Sequence, residues 1–223
     1  STVALNVFAS DPKHLDASDE QIAAHRNLVT QADRLFGARH FAHYDFLLML
    51  SEPMDYLGLE HHQSSENGLK PGYFNDWAKT SSGRDLLPHE YTHSWNGKFR
   101  RPRELWAPDF NAPTRNSLLW VYEGLTEYWG WMLAARSGLV SAADSRADLA
   151  YTAAWAQTLP GRQWRALQDT TGDGIMTGRL SPLDWPSWQR SRRDYYGEAV
   201  LIWLDADTLI REATSDARSL DDF

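Results

Sequence analysis

The chain begins its regular patterning at Ser18, where a serine and two acids precede apolar residues at Ile22, Leu28, Leu35 and Phe36, with Gly37 following. That spacing predicts an amphipathic helix with a serine cap at one end and a glycine stop at the other. Tyr44 to Leu50 is an apolar run short enough for a buried strand. Residues 54–62 are polar-flanked and contain Gly58, which suits an edge strand or a bulge. From Thr80 onward the pattern turns helical, apart from a Pro/Arg-rich loop over residues 100–115. Residues 117–137 distribute leucine, tryptophan, tyrosine and methionine all round a helix closed by Gly138, so this helix should be buried. Ser141 caps another, and a last one runs from about Asp194 to Arg211. Strands early and helices late predict an α+β fold, with a sheet lobe over about residues 1–80 and a helical lobe over about 81–223.

Composition narrows the chemistry. A chain of 223 residues with 42% hydrophobic and 23% charged side chains is one globular domain of two lobes, and its apolar runs stop far short of a membrane span. Cysteine is absent, which removes disulfides, thiolate metal sites and cysteine nucleophiles together. Any metal must therefore be held by histidine and carboxylate. A net charge of -8 argues against a nucleic-acid backbone or an anionic membrane as partner. Tryptophan is abundant, with 11 residues, and is read either as core or as the wall of a cleft. The first residues lack the basic and apolar regions of a signal peptide, and Ser219-Leu-Asp-Asp222 has the form of a helix start just before the chain stops. Both ends suggest a piece of a longer protein, and neither reveals a compartment.

His89-Glu90-Tyr91-Thr92-His93 is the H-E-x-x-H pattern. On a helix, positions i and i+4 share a face, so both imidazoles can reach one zinc ion. Glu90 is rotated off that face, beside the metal, where a carboxylate can take a proton from an activated water. Zinc catalysis usually wants a third protein ligand, and Glu123 on the apolar helix is the candidate, because a carboxylate there is costly to bury unless paired or metal-bound. Glu127, one turn on, could orient a ligating histidine through its free N–H. Pro88, directly before His89, predicts that the helix begins or kinks at that point.

The run from His89 to Pro102, H-E-Y-T-H-S-W-N-G-K-F-R-R-P, and the run from Leu119 to Gly130, L-W-V-Y-E-G-L-T-E-Y-W-G, together resemble the glycyl aminopeptidase family of gluzincin metallopeptidases. The likeness extends from about Phe46 to Arg211. It implies a thermolysin-like zincin catalytic domain in which His89, His93 and Glu123 hold zinc and Glu90 is the general base. It also implies flanking domains, a periplasmic or secreted bacterial location, and a peptide substrate with a free N-terminal glycine or alanine. Leu57-Gly58-Leu59-Glu60-His61 resembles the family's G-L-E-H segment, which would make Gly58 part of a substrate-binding edge and Glu60 the anchor of the α-amino group. Tyr195-Tyr196-Gly197-Glu198-Ala199 resembles the family's Y-x-x-G segment, whose tyrosine donates to the oxyanion. With Ala199 in the glycine position the donor is Tyr196; Tyr195 stays in play, and either can instead belong to the core.

The remaining candidates are weaker. Asp169 to Gly174 opens like a calcium loop, but its twelfth position is Leu180 where glutamate is required, so it reads as a turn. Lys98, Arg100, Arg101 and Arg103 form either a solvated basic loop or a site for a substrate carboxylate. Asn96 can fix the loop after the motif, and His61 and His62 read as a polar turn. An endopeptidase with an open cleft, and a metal- or peptide-binding module that does not turn over, are the competing readings of the same motif.

Overall fold

Alternation along the second strand sets the core. In β2 (His43–Leu50), Tyr44, Phe46, Leu48 and Leu50 point to one face and all are buried, while the residues between them are not. The computed structural model describes residues 1–54, 56–173, 186–190 and 195–223. Beside β2 lie β1 (Thr2–Ala9) and β4 (Ser64–Leu69), both parallel to it, and β3 (Leu57–Glu60) runs antiparallel to β4 at the edge. The strand order is β1-β2-β4-β3. In this register the buried face changes character from one side to the other. Val3, Leu5 and Val7 pair with the apolar side of β2, Ser65 and Asn67 follow on β4, and Gly58 and Glu60 complete the row on β3.

The β1–β2 connection is a helical crossover, as parallel pairing requires. Helix α1 (Asp19–Phe36) starts on a capping box formed by Ser18 and Gln21 and ends at a left-handed Gly37, the two signals read from the sequence. Its residues Ala24, Leu28 and Ala32 join the sheet's apolar face in one core. Neither β1 nor β4 was expected from the sequence. The inward residues of β4 are polar, with Asn67 donating to Ser65 Oγ at 2.9 Å, so no apolar alternation marks the strand.

Helix α2 (Leu86–Thr92) is short and buried along its whole length. It begins two residues before the proline, which places Pro88 in the first turn, where its missing N–H costs no intrahelical bond. The chain then continues through α3 (Leu119–Ser137), α4 (Ala142–Gln157) and α5 (Tyr196–Thr214). Ser141 Oγ accepts from Asp144 N at the head of α4, as its capping role requires. Asp194, where the last helix was expected to begin, lies outside the described residues. The α+β order holds: a small open sheet, then helices. No helix among the described residues is long and apolar enough to cross a membrane.

Two compact units divide the chain, one comprising Ser1–Arg100 and Trp129–Ser145, the other Arg101–Tyr128 and Arg146–Phe223. In the second, Tyr195 and Ala199 at the start of α5 are buried with Leu167. Glu198 is tied by Arg162 at 3.1 Å and Arg190 at 2.7 Å, which anchors the first turn of α5. Asp173, from the calcium-like segment, accepts both arms of the buried Arg165 at 3.0 and 2.9 Å. Positions 174–180 of that segment lie outside the described residues.

In the first unit, His25 on α1 donates from Nδ1 to the Gln21 carbonyl (2.7 Å) and accepts at Nε2 from the Tyr73 hydroxyl (2.9 Å). Burial, with the nearby Arg84 guanidinium, pushes its pKa below the ordinary histidine value. Folding thus excludes a proton that the unfolded chain takes up below about pH 6.5. Stability from this group is complete above that pH and is lost as the pH falls towards the lowered folded value. In the metal-free protein the urea midpoint should be lower at pH 5.5 than at pH 7.5, and the difference should shrink in His25→Gln.

Candidate metal centre

Two imidazoles converge at the end of α2. His89 and His93 lie one helical turn apart, both buried, and their Nε2 atoms are 3.1 Å from each other. His93 Nδ1–H donates to the Asn96 carbonyl at 3.1 Å, which orients the ring and leaves Nε2 as the donor atom for a metal. Asn96 contributes through its backbone, and the turn after the motif is the orienting partner.

Helix α3 supplies the carboxylate. Gly130 is seated against α2 so closely that a Cβ there would lie 3.2 Å from His89 Cα. Glu123 is seven residues earlier on the same helix, hence on nearly the same face and about 10 Å back along the axis. One donor atom from each of His89, His93 and Glu123 falls within 4.8 Å of the others. Glu127 is half-buried one turn further on.

These donors fit zinc. Two histidine nitrogens bound tetrahedrally at zinc bond lengths stand about 3.3 Å apart, close to the 3.1 Å found here. Two imidazoles and one carboxylate, with no thiolate, form the donor set of a catalytic zinc site that keeps a fourth position open.

The sheet holds the motif glutamate. Tyr44 on β2 donates its hydroxyl to the Glu90 carbonyl at 3.2 Å, and burial raises the tyrosine pKa far enough that the donor is always protonated. Glu90 itself is buried, with its carboxylate against the backbone of β3: a Cβ on Gly58 would run into Glu90 Oε1. Alternation puts Glu60 on the same face as Gly58, and oxygens of Glu60 and Glu90 lie within 4.8 Å of a His93 nitrogen and of each other.

Other expectations sort themselves by position. His61 pairs with Glu66 at 3.1 Å, and the His62 carbonyl accepts from Ser94 Oγ at 2.9 Å, as fits a polar turn. Lys98 departs from the basic loop: its Nζ is 3.4 Å from Glu60 Oε1, a pairing across 38 residues that no local pattern announces. Trp95 packs into the core, stacked on Phe36 at 4.4 Å, and so does not line a cleft. In the second unit Tyr195 is buried and stacks on Tyr196 at 4.9 Å, while Tyr196 is half-buried at the first position of α5. Ala199 is fully buried, and its Cβ lies where a side chain on Gly124 would, so position 199 can hold an alanine because its neighbour has no Cβ.

Residues 82–202, more than half of the chain, match the family model of the M61 glycyl aminopeptidases. The stretch contains α2, α3 and the start of α5. None of the curated proteins matches. Among solved structures, the fold is similar to the crystal structure of an aminopeptidase N family protein from Idiomarina loihiensis, with a TM-score of 0.77 at 21% identity. That likeness covers 98% of this chain and 37% of that one, and it concerns the fold alone.

Two measurements check the centre. Elemental analysis after dialysis should give one zinc per chain in the parent protein and a strong loss in His89→Ala, His93→Ala or Glu123→Ala. Gly58→Ala should keep its zinc, because Glu90 and not a ligand is displaced. Its turnover should fall about 100-fold, the scale on which a displacement near 1 Å acts.

Proposed function

Because the chain belongs to the M61 glycyl aminopeptidase family, whose members are zinc metallopeptidases, we propose that this zinc metallopeptidase removes N-terminal glycine or alanine from peptides. The observation that carries the reading is the convergence of His89, His93 and Glu123 on one point, with Glu90 beside it. Zinc held by those three residues supplies a Lewis acid that polarises the scissile carbonyl and acidifies water.

Glu90 takes the proton from the attacking water and returns it to the leaving amine. Its position supports this role, since its carbonyl is bound by Tyr44 and its carboxylate rests on β3. Tyr196 donates a hydrogen bond to the oxyanion, while Tyr195, packed in the core behind it, supports its ring. Glu127 orients a histidine ligand.

The free side of β3 pairs with the substrate backbone at Gly58. Glu60, at the end of that strand, binds the α-ammonium and so restricts cleavage to the first residue. Flanking domains complete the protein, and a periplasmic or secreted location suits peptide scavenging.

Glu90→Gln should retain zinc and lose about 10²- to 10⁴-fold in turnover; unaltered turnover contradicts the assignment of the base. Glycyl peptides with a free and with an acetylated N-terminus then separate the activities. Cleavage of the free peptide alone supports the aminopeptidase, equal rates indicate an endopeptidase, and zinc binding without cleavage of either indicates a binding module.

A further inference from the structure

Lys98 follows the zinc helix among exposed arginines, yet its side chain is only 25% exposed and its ammonium meets Glu60 at 3.4 Å. The backbone explains why. After α2 the chain reverses at Gly97 (φ 146°), the Lys98 N–H donates to the His93 carbonyl at 2.9 Å, and a bridge joins Asn96 to Arg100. The same turn presents the Asn96 carbonyl to His93 Nδ1. The root of Lys98 is thus fixed to a metal ligand, and its flexible stem carries a positive charge to the end of β3.

We infer that Lys98 is a specificity-determining residue of the amino-terminus subsite. In the free enzyme its ammonium holds the place at Glu60 that the substrate's α-ammonium takes, so binding exchanges one ammonium for another on the same carboxylate. The inference rests on Glu60 being the amine-binding residue. Three physical points support it.

A tethered ammonium competes at an effective concentration of the order of millimolar, which a neutral N-acyl end has no charge to overcome. The pair is partly exposed and so weak enough to be displaced. Exchange also keeps a cation on Glu60 throughout, which matters because Glu90 carries a second carboxylate within 4.8 Å.

The exchange has a distinct signature. Salt screens the departing pair and the arriving pair alike, so KM in the parent enzyme should vary little with ionic strength. Removing the competitor unmasks the dependence.

The test compares Lys98→Met, Lys98→Arg and Glu60→Gln in the intact protein, with two readouts. These are KM for a glycyl peptide across ionic strength, and the calorimetric affinity for glycinamide, an α-ammonium without a carboxylate. Lys98→Met should lower KM and tighten glycinamide by about two- to fivefold, the scale of a partly exposed ion pair. It should also make KM steeply salt-dependent, while Lys98→Arg, which keeps a cation on Glu60, retains the weak salt dependence of the parent. A KM for Lys98→Met that is unchanged or raised overturns the inference; a rise would mean that the lysine positions Glu60. Glu60→Gln separates the two layers. If it alters neither readout, the amine-binding role of Glu60 fails. If it weakens both while Lys98→Met tightens neither, only the role of Lys98 fails.

Discussion

Everything at the metal centre depends on holding still a helix that cannot hold itself. Helix α2 has seven residues, less than two turns, and isolated helices of that length are not stable in water. It must nonetheless place two imidazole nitrogens and a carboxylate to within a fraction of an ångström. The surroundings supply the rigidity. Tyr91 fills the core against Tyr44 and Phe46, Tyr44 reaches the Glu90 carbonyl, Thr92 returns to the Pro88 carbonyl, and Ser94 fastens the helix end to the turn after β3. Gly130 lets α3 approach the backbone of His89 itself. Each contact is ordinary; together they replace the length that the helix lacks.

Ion pairs in the chain are of two kinds. Asp173 is clamped by the guanidinium of Arg165, and Glu198 by those of Arg162 and Arg190. Arginine forks are rigid, and such pairs fix local structure. At the end of β3 the partner of Glu60 is a lysine, a point charge on a four-carbon stem. A stiff pair suits a scaffold, and a yielding one suits the exchange proposed at Glu60.

The sequence was informative where a single local rule decides the outcome. Ser18, Gly37, Ser141 and Gly138 mark helix ends by capping chemistry, and His89-x-x-x-His93 marks a shared helix face by periodicity alone. The strands were harder. β2 announces itself by burial, but β1 exists because β2 offers a parallel partner 41 positions away, and β4 is buried on polar groups. The same distinction holds at the site. His89, His93 and Glu123 were visible as residue types that must be paired when buried. Lys98 looked like one charge among four, because its pairing with Glu60 depends on a chain reversal and on a strand far off in sequence. Trp95 lies in the turn beyond the end of α2, and that turn carries its ring onto Phe36 in the core.

Two-residue periodicity along β3 bears on how substrate preference in this protein can be changed. Leu57 and Leu59 lie on the face opposite Gly58 and Glu60 and are 37% and 44% exposed, so their side chains do not reach Glu90. Gly58 is different, because every larger side chain there shifts the carboxylate of Glu90. A library that randomises the strand will therefore recover diversity at positions 57 and 59 and glycine at 58. That invariance will look like selection for substrate contact, although its origin is the volume of a neighbouring side chain.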